Sequence, residues 1–162
     1  MTAENYRLRK IDEFEATMRF VRILKAKTGG TMAGAVKSEF ERDFDCKAYQ
    51  NKKRVEIEVT QIAQNGSLGD SDNLWKAIKR KLDNFYTPLQ NQKLILLTFE
   101  QNLTRNPRHG QVLIANIVDM LDVARKNIST HSHQPFEEIW YLGLGERGAL
   151  HQDYTVKVWP ER

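Results

Sequence analysis

The sequence predicts an α/β domain in which a central mixed sheet is flanked by helices. Three observations carry this. Residues 43–61 hold two stretches that alternate polar and apolar residues with period two, the pattern of strands with one buried face. Lys93–Glu100 is a short continuous apolar run, as a central strand covered on both sides requires. Three further stretches place apolar residues three and four apart, the spacing of amphipathic helices. The order is helix, three strands, helix, strand, helix, two strands. At 162 residues the chain suits a single domain, 1–162.

The hairpin organises the rest. Asp43-Phe44-Asp45-Cys46-Lys47-Ala48-Tyr49 and Arg54-Val55-Glu56-Ile57-Glu58-Val59-Thr60-Gln61 are joined by Gln50-Asn51-Lys52-Lys53. A two-residue turn at Asn51-Lys52, where Asn tolerates left-handed geometry, sets Asp45 against Glu58, Lys47 against Glu56 and Asp43 against Thr60. It also sets Phe44 against Val59, Cys46 against Ile57 and Ala48 against Val55, so one face is apolar. The other gathers four carboxylates that repel one another unless something neutralises them. A hard cation such as Mg²⁺ would, since it prefers oxygen ligands. A solvated face whose charges pair with Lys47, Lys52, Lys53 and Arg54 is the alternative.

Upstream, Ile11, Phe14, Met18, Val21 and Leu24 mark a helix over roughly 9–27, ended by Thr28-Gly29-Gly30. Glu13 and Glu15 on it read as solvated. Thr31–Val36 is expected to be a first strand, with Phe40 continuing its alternation. Asn65–Asp70 reads as a loop, and Ser71 or Asp72 can cap the next helix. That helix carries Leu74, Ile78, Leu82 and Phe85 on one face, with Lys76, Lys79, Arg80 and Lys81 elsewhere; Pro88 blocks its continuation. The basic residues fit either a solvated surface or contacts to a phosphate backbone. Trp75 and Tyr86 read as packing residues.

After the 93–100 strand, Asn106–Gly110 reads as a turn, and Leu113, Ile114, Ile117, Leu121 and Ala124 mark a helix closing near Asn127. His131 and His133 lie in a polar loop without further zinc ligands. Glu138–Leu142 and Tyr154–Trp159 are expected to be closing strands that can pair between subunits at a sheet edge. Gly143–Gly148 is a turn, and it does not open a helix as a dinucleotide-binding loop does.

Composition excludes several classes. Hydrophobic content is 40% and charged content 28%, ordinary for a globular domain, and no apolar run is long enough to span a bilayer. Met1–Arg7 lacks a signal-peptide core, and the single cysteine excludes an internal disulfide; together they predict a cytoplasmic protein with no membrane partner. Cys46 is expected to be a small buried hydrophobe. The net charge of +4 is compatible with a polyanionic partner.

The element order and the acidic hairpin resemble the PD-(D/E)xK nuclease-like (restriction-endonuclease-like) superfamily, whose αβββαβ core carries its acidic site on the second and third strands. The resemblance covers about residues 9–100, which implies a core there and a C-terminal extension at about 101–162, and includes the helix Ala77–Tyr86 leading into Leu94–Leu97. It implies a Mg²⁺- or Mn²⁺-dependent nuclease acting on DNA or RNA. Two alignments are open. Asp45 with Glu58 leaves Thr60 where the family usually has lysine; Asp43 with Glu56 puts Glu58 there. No proline precedes either Asp, and neither triplet ends in lysine. Asp43, Asp45, Glu56 and Glu58 are the implied metal ligands, and Asp45, Glu58 and Glu56 the implied catalytic residues. Lys79 is the first choice for a helix-borne cation replacing the lysine, and Lys76, Lys79 and Arg80 are the expected nucleic-acid contacts. The missing lysine equally fits a scaffold without chemistry that binds nucleic acid or protein. A homodimer is compatible with the sequence but not indicated by it.

Overall fold

The hairpin link settles into a turn with positive φ at two consecutive residues, Asn51 at 51° and Lys52 at 66°. This is the geometry whose twist matches that of paired strands. It fixes the register expected from the sequence: Cys46 faces Ile57, Lys47 faces Glu56 and Ala48 faces Val55. The computed structural model describes residues 13–27, 32–37, 45–62, 71–84, 93–101, 107–132, 134–144 and 153–161.

In chain order these form α1 (Glu13–Lys27), β1 (Met32–Lys37), β2 (Cys46–Gln50), β3 (Lys53–Gln61), α2 (Asn73–Leu82), β4 (Lys93–Gln101), α3 (Pro107–Thr130), β5 (Glu138–Leu144) and β6 (Tyr154–Trp159). The strands build one mixed sheet in the order β1-β2-β3-β4-β5-β6. β2 pairs antiparallel with both β1 and β3, β3, β4 and β5 run parallel, and β6 returns antiparallel. Each parallel step is bridged by a helix, the crossover that parallel pairing needs. The α/β class and the mixed sheet are therefore as expected, including β1, which the sequence marked only by small apolar residues.

Two cores lie on opposite faces. Phe20, Val21 and Leu24 of α1 pack on Cys46, Ala48, Val55, Ile57 and Val59, with Ile95, Leu97 and Phe99 from β4. Leu74, Ile78 and Leu82 of α2 and Met120, Leu121, Ala124 and Ile128 of α3 pack on Leu94, Leu96, Ile139 and Val158. β4 is thus buried on both faces, which explains its unbroken apolar run. Cys46 is buried and free, as expected.

Three expectations are corrected. Asn106–Gly110 is not a turn throughout, because α3 already begins at Pro107; proline suits the first helical position, where its missing N–H has no intrahelical acceptor to lose. Asp72 occupies the N-cap of α2 but makes no side-chain capping bond. Gly143 and Leu144 belong to β5 and not to a turn. At Gly143 an added Cβ would stand 2.5 Å from Cε1 and Cζ of Tyr154, so the bare backbone leaves room for that ring. Phe40, Phe44, Asn65–Asp70, Phe85, Tyr86 and His133 lie outside the described residues.

β6 forms the sheet edge that the sequence marked as available to a second subunit. Near the irregularity at Ile139/Trp140, Arg125 of α3 donates Nη2–H to the Lys157 carbonyl at 2.9 Å and Nε–H to the Val158 carbonyl at 3.2 Å. The guanidinium thereby satisfies two successive carbonyls where the β5–β6 ladder is irregular. Arg125→Ala is expected to cost about 2 kcal/mol, a melting-point drop of roughly 4–8 °C. Thermal unfolding measured by circular dichroism checks this, and an unchanged melting point would show that the clamp carries no stability.

Candidate functional site

β3 is buried on both faces, so its second set of side chains cannot be a solvated one. Glu56, Glu58 and Thr60 point away from α1 and are 2%, 7% and 3% exposed. The alternative of a solvated acidic face is thereby corrected: α2 lies over it and supplies partners to Glu58 and Thr60, while of the cations expected there Arg54 lies against Glu56.

β2 stops at Cys46, and the Asp45 side chain takes over where the ladder stops. Its Oδ2 accepts the Val59 N–H at 2.8 Å. This bond anchors the Asp45 carboxyl beside the neighbouring residue, Glu58, close enough to favour the protonated Glu58 carboxyl. Two carboxyl groups in contact share a proton more readily than they both ionise. Burial first, and the Asp45 contact second, push the Glu58 carboxyl from its ordinary 4.5 up to about 7. The opposing influence is Lys81, whose Nζ donates to Glu58 Oε1 at 2.8 Å.

Lys81 corrects the expectation placed on Lys79. Lys79 is exposed and bonds Asp83 one helical turn on, at 2.9 Å. That bond is the main cause holding the Asp83 carboxyl below its ordinary value. Lys81 shares the sheet-facing stripe with Leu74, Ala77, Ile78 and Leu82, at the three- and four-residue spacings that place side chains on one helix face. The spacing signal was present in the sequence; grouping all four basic residues apart from the stripe concealed it.

Beside Lys81, Arg80 donates Nη2–H to Thr60 Oγ1 at 2.7 Å. Lys76 is exposed on the outer face of α2. The structure thus brings Asp45, Glu58, Thr60, Arg80 and Lys81 together, with Lys76 and Lys79 at the rim. Asp43 lies outside the described residues. Glu56 stands two residues before Glu58 on the same face, and its Oε1 is 2.5 Å from Arg54 Nε. That contact lacks hydrogen-bond geometry, and neither Glu56 oxygen has a hydrogen-bond partner among the described residues. Among the described residues, no group of three or more His, Cys, Asp or Glu side chains could hold a metal ion. His131 serves packing, its ring edge-on to Trp75 at 6.0 Å and its Nε2 3.4 Å from Asp83.

A second buried polar cluster, missed in the sequence, occupies the same sheet face near the C-terminal ends of β4 and β5. The Tyr141 hydroxyl donates to Glu100 Oε1 and lies 3.4 Å from the Tyr154 hydroxyl. Burial, then the Glu100 charge, holds the Tyr141 phenol well above its ordinary value, and burial also raises Tyr154. Glu100 sat inside an apolar run, where its burial had no signal of its own.

No family model, curated protein or solved structure matches the chain. No helix among the described residues is long and apolar enough to cross a membrane.

Glu58 gives the site a pH signature. The unfolded chain loses this proton near 4.5, the folded chain only near 7, so between those values the folded state holds more protons. Its stabilising contribution is full below about pH 4.5 and is lost as pH rises through 7. Glu58→Gln, which keeps the neutral shape, is expected to melt roughly 2–4 °C above wild type at pH 8, from about 1 kcal/mol after allowance for solvent screening. It should match wild type at pH 4.5. Differential scanning calorimetry at the two pH values checks this, and equal shifts at both would remove the titration from the account.

Proposed function

We propose that the chain is a metal-dependent phosphodiester hydrolase of the restriction-endonuclease-like kind, acting on DNA or RNA. The observation that carries this reading is the closeness of Asp45, just before β2, to Glu58 on β3, with Lys81 bonded to Glu58. The helix-bridged parallel step from β3 to β4, beside an antiparallel β1-β2-β3, supports the same scaffold.

The donor set suits Mg²⁺ or Mn²⁺ in its chemistry. Mg²⁺ is commonly held by one or two carboxylates and completes its shell with water and substrate phosphate. Asp45 and Glu58 would hold it; Glu56, which lies against Arg54, does not join them in a group of three among the described residues, and Asp43 lies outside those residues. When bound, such an ion lowers the pKa of a coordinated water and offsets charge on a phosphate.

The protein's own groups do the remaining work. Val59 N–H fixes the orientation of the Asp45 carboxyl. α2 supplies through Lys81 the cation that the third strand lacks, and in the alignment of Asp45 with Glu58 this residue stands in for the missing lysine. Its ammonium compensates Glu58 in the resting site and is placed to stabilise negative charge developing on a phosphate next to it. Lys76 and Lys79 lie exposed on the same helix, Lys79 bonded to Asp83, where a nucleic-acid backbone could run past them.

A second reading has its own observation. Lys81 already neutralises Glu58 without any ion, which suits a scaffold of the same shape that binds nucleic acid or a protein without cutting. Calorimetric titration with Mg²⁺ and Mn²⁺ separates the two. Wild type is expected to bind, Asp45→Asn/Glu58→Gln to lose binding, and Lys81→Ala to keep binding while cleavage of DNA or RNA falls about 10²-fold or more. Absence of ion binding at millimolar metal, with and without an oligonucleotide present, would favour the scaffold.

A further inference from the structure

The basic residues of α2 differ in how their charge is met. Lys79 is neutralised by Asp83 and Lys81 by Glu58. Arg80 is not: its fixed partner among the described residues is the Thr60 hydroxyl, a neutral acceptor. Thr60 is 3% exposed, whereas Arg80 is exposed. A buried hydroxyl therefore grips one Nη of an exposed guanidinium whose remaining N–H groups meet no partner among the described residues. Arginine suits such a site, because its rigid fork matches the oxygens of a phosphate and its charge persists at any accessible pH.

Position adds to this. Thr60 follows Glu58 by two residues on the same face of β3, roughly 6–7 Å along the strand. A polyanion approaching the carboxyl pair meets an uncompensated cation one step away. Without one, the buried carboxylates of β3 would repel it.

We propose that Thr60 and Arg80 form an anion-binding subsite for a phosphate of a nucleic-acid strand, Arg80 making the contact and Thr60 acting as the positioning residue. This rests on the reading of the Asp45–Glu58 face as a phosphodiester site and adds to it the residue that orients the phosphate. It also assigns a task to the hydroxyl at the place where lysine is missing. Thr60 there carries no charge of its own but holds one that arrives from α2.

The test reads binding without cleavage, so it stands apart from the question of hydrolysis. Fluorescence anisotropy of a fluorescein-labelled 12-nucleotide single-stranded DNA is followed in EDTA over 50–200 mM salt. Arg80→Gln is expected to weaken binding about 5- to 10-fold and to flatten the logarithmic salt dependence by about 0.7, the loss of one phosphate contact. Thr60→Val leaves the net charge unchanged yet is expected to weaken binding at least about 3-fold, while Thr60→Ser restores it. The double variant should bind no worse than Arg80→Gln alone, since both changes remove one contact. Lys25→Gln, an equal loss of charge on α1 across the sheet, serves as the control and should bind as wild type. Melting curves confirm that each variant is folded. The proposal is overturned if wild type does not bind, if Arg80→Gln binds as tightly as wild type, or if the double variant shows additive losses. Should Thr60→Val fail to fold, Arg80→Lys gives the decision: charge kept without the fork must bind more weakly than wild type, and equal binding overturns the proposal. Loss of metal-dependent cleavage with this binding pattern intact would strike the hydrolase reading alone.

Discussion

The register of β2 against β3 is the constraint on which the site depends, and two backbone residues set it. With Asn51 and Lys52 both at positive φ, the turn leaves no slack for a slipped pairing. A slip by one residue would send Glu56 and Glu58 into the core beneath α1 and turn Ile57 and Val59 towards α2. Asp45 would then lose both Val59 N–H and its neighbour Glu58. The apolar packing of one face and the polar constellation of the other are thus one decision, made at the turn.

On the polar face, burial and charge compensation come from the same element. α2 covers Glu58 with Ile78 and Leu82 packed nearby and delivers Lys81 to it. Such an arrangement costs desolvation of three charged groups, and a Lys–Glu contact repays little of that in general. A fold selected for stability alone gains more by filling such a position with apolar atoms. The retention of Asp45, Glu58 and Lys81 in contact is what makes this face a candidate for chemistry, and Glu100 with Tyr141 repeats the pattern with a neutral partner on β5.

Much of the fold was legible in the sequence because it rests on local signals. Period-two alternation gave the hairpin and its register; the run from Leu94 to Phe99 gave a strand buried on both faces; Leu74, Ile78 and Leu82 gave α2. The start of α3 was hidden because Pro107 and Gly110 signal a turn and a helix N-terminus alike. At the site, Asp45 and Glu58 were legible through cross-strand pairing. Their cation was legible only in part: spacing puts Lys81 on the stripe of Leu74, Ile78 and Leu82, but its meeting with Glu58 depends on where the helix lands. Likewise the bond from Arg80 to Thr60 joins residues on different elements, and no spacing along the chain encodes it.

The crossover topology also orders events in time. The β2–β3 hairpin closes a loop of two residues, whereas β3 meets β4 only after the chain between them, including α2, has been gathered in. Loop closure over short separations is quick and over long ones slower. A nascent hairpin would hold its carboxylates in water, with nothing above them. Only with α2 in place is the acidic face dry and its counter-charge supplied, so the site is complete only once that helix has closed over the hairpin.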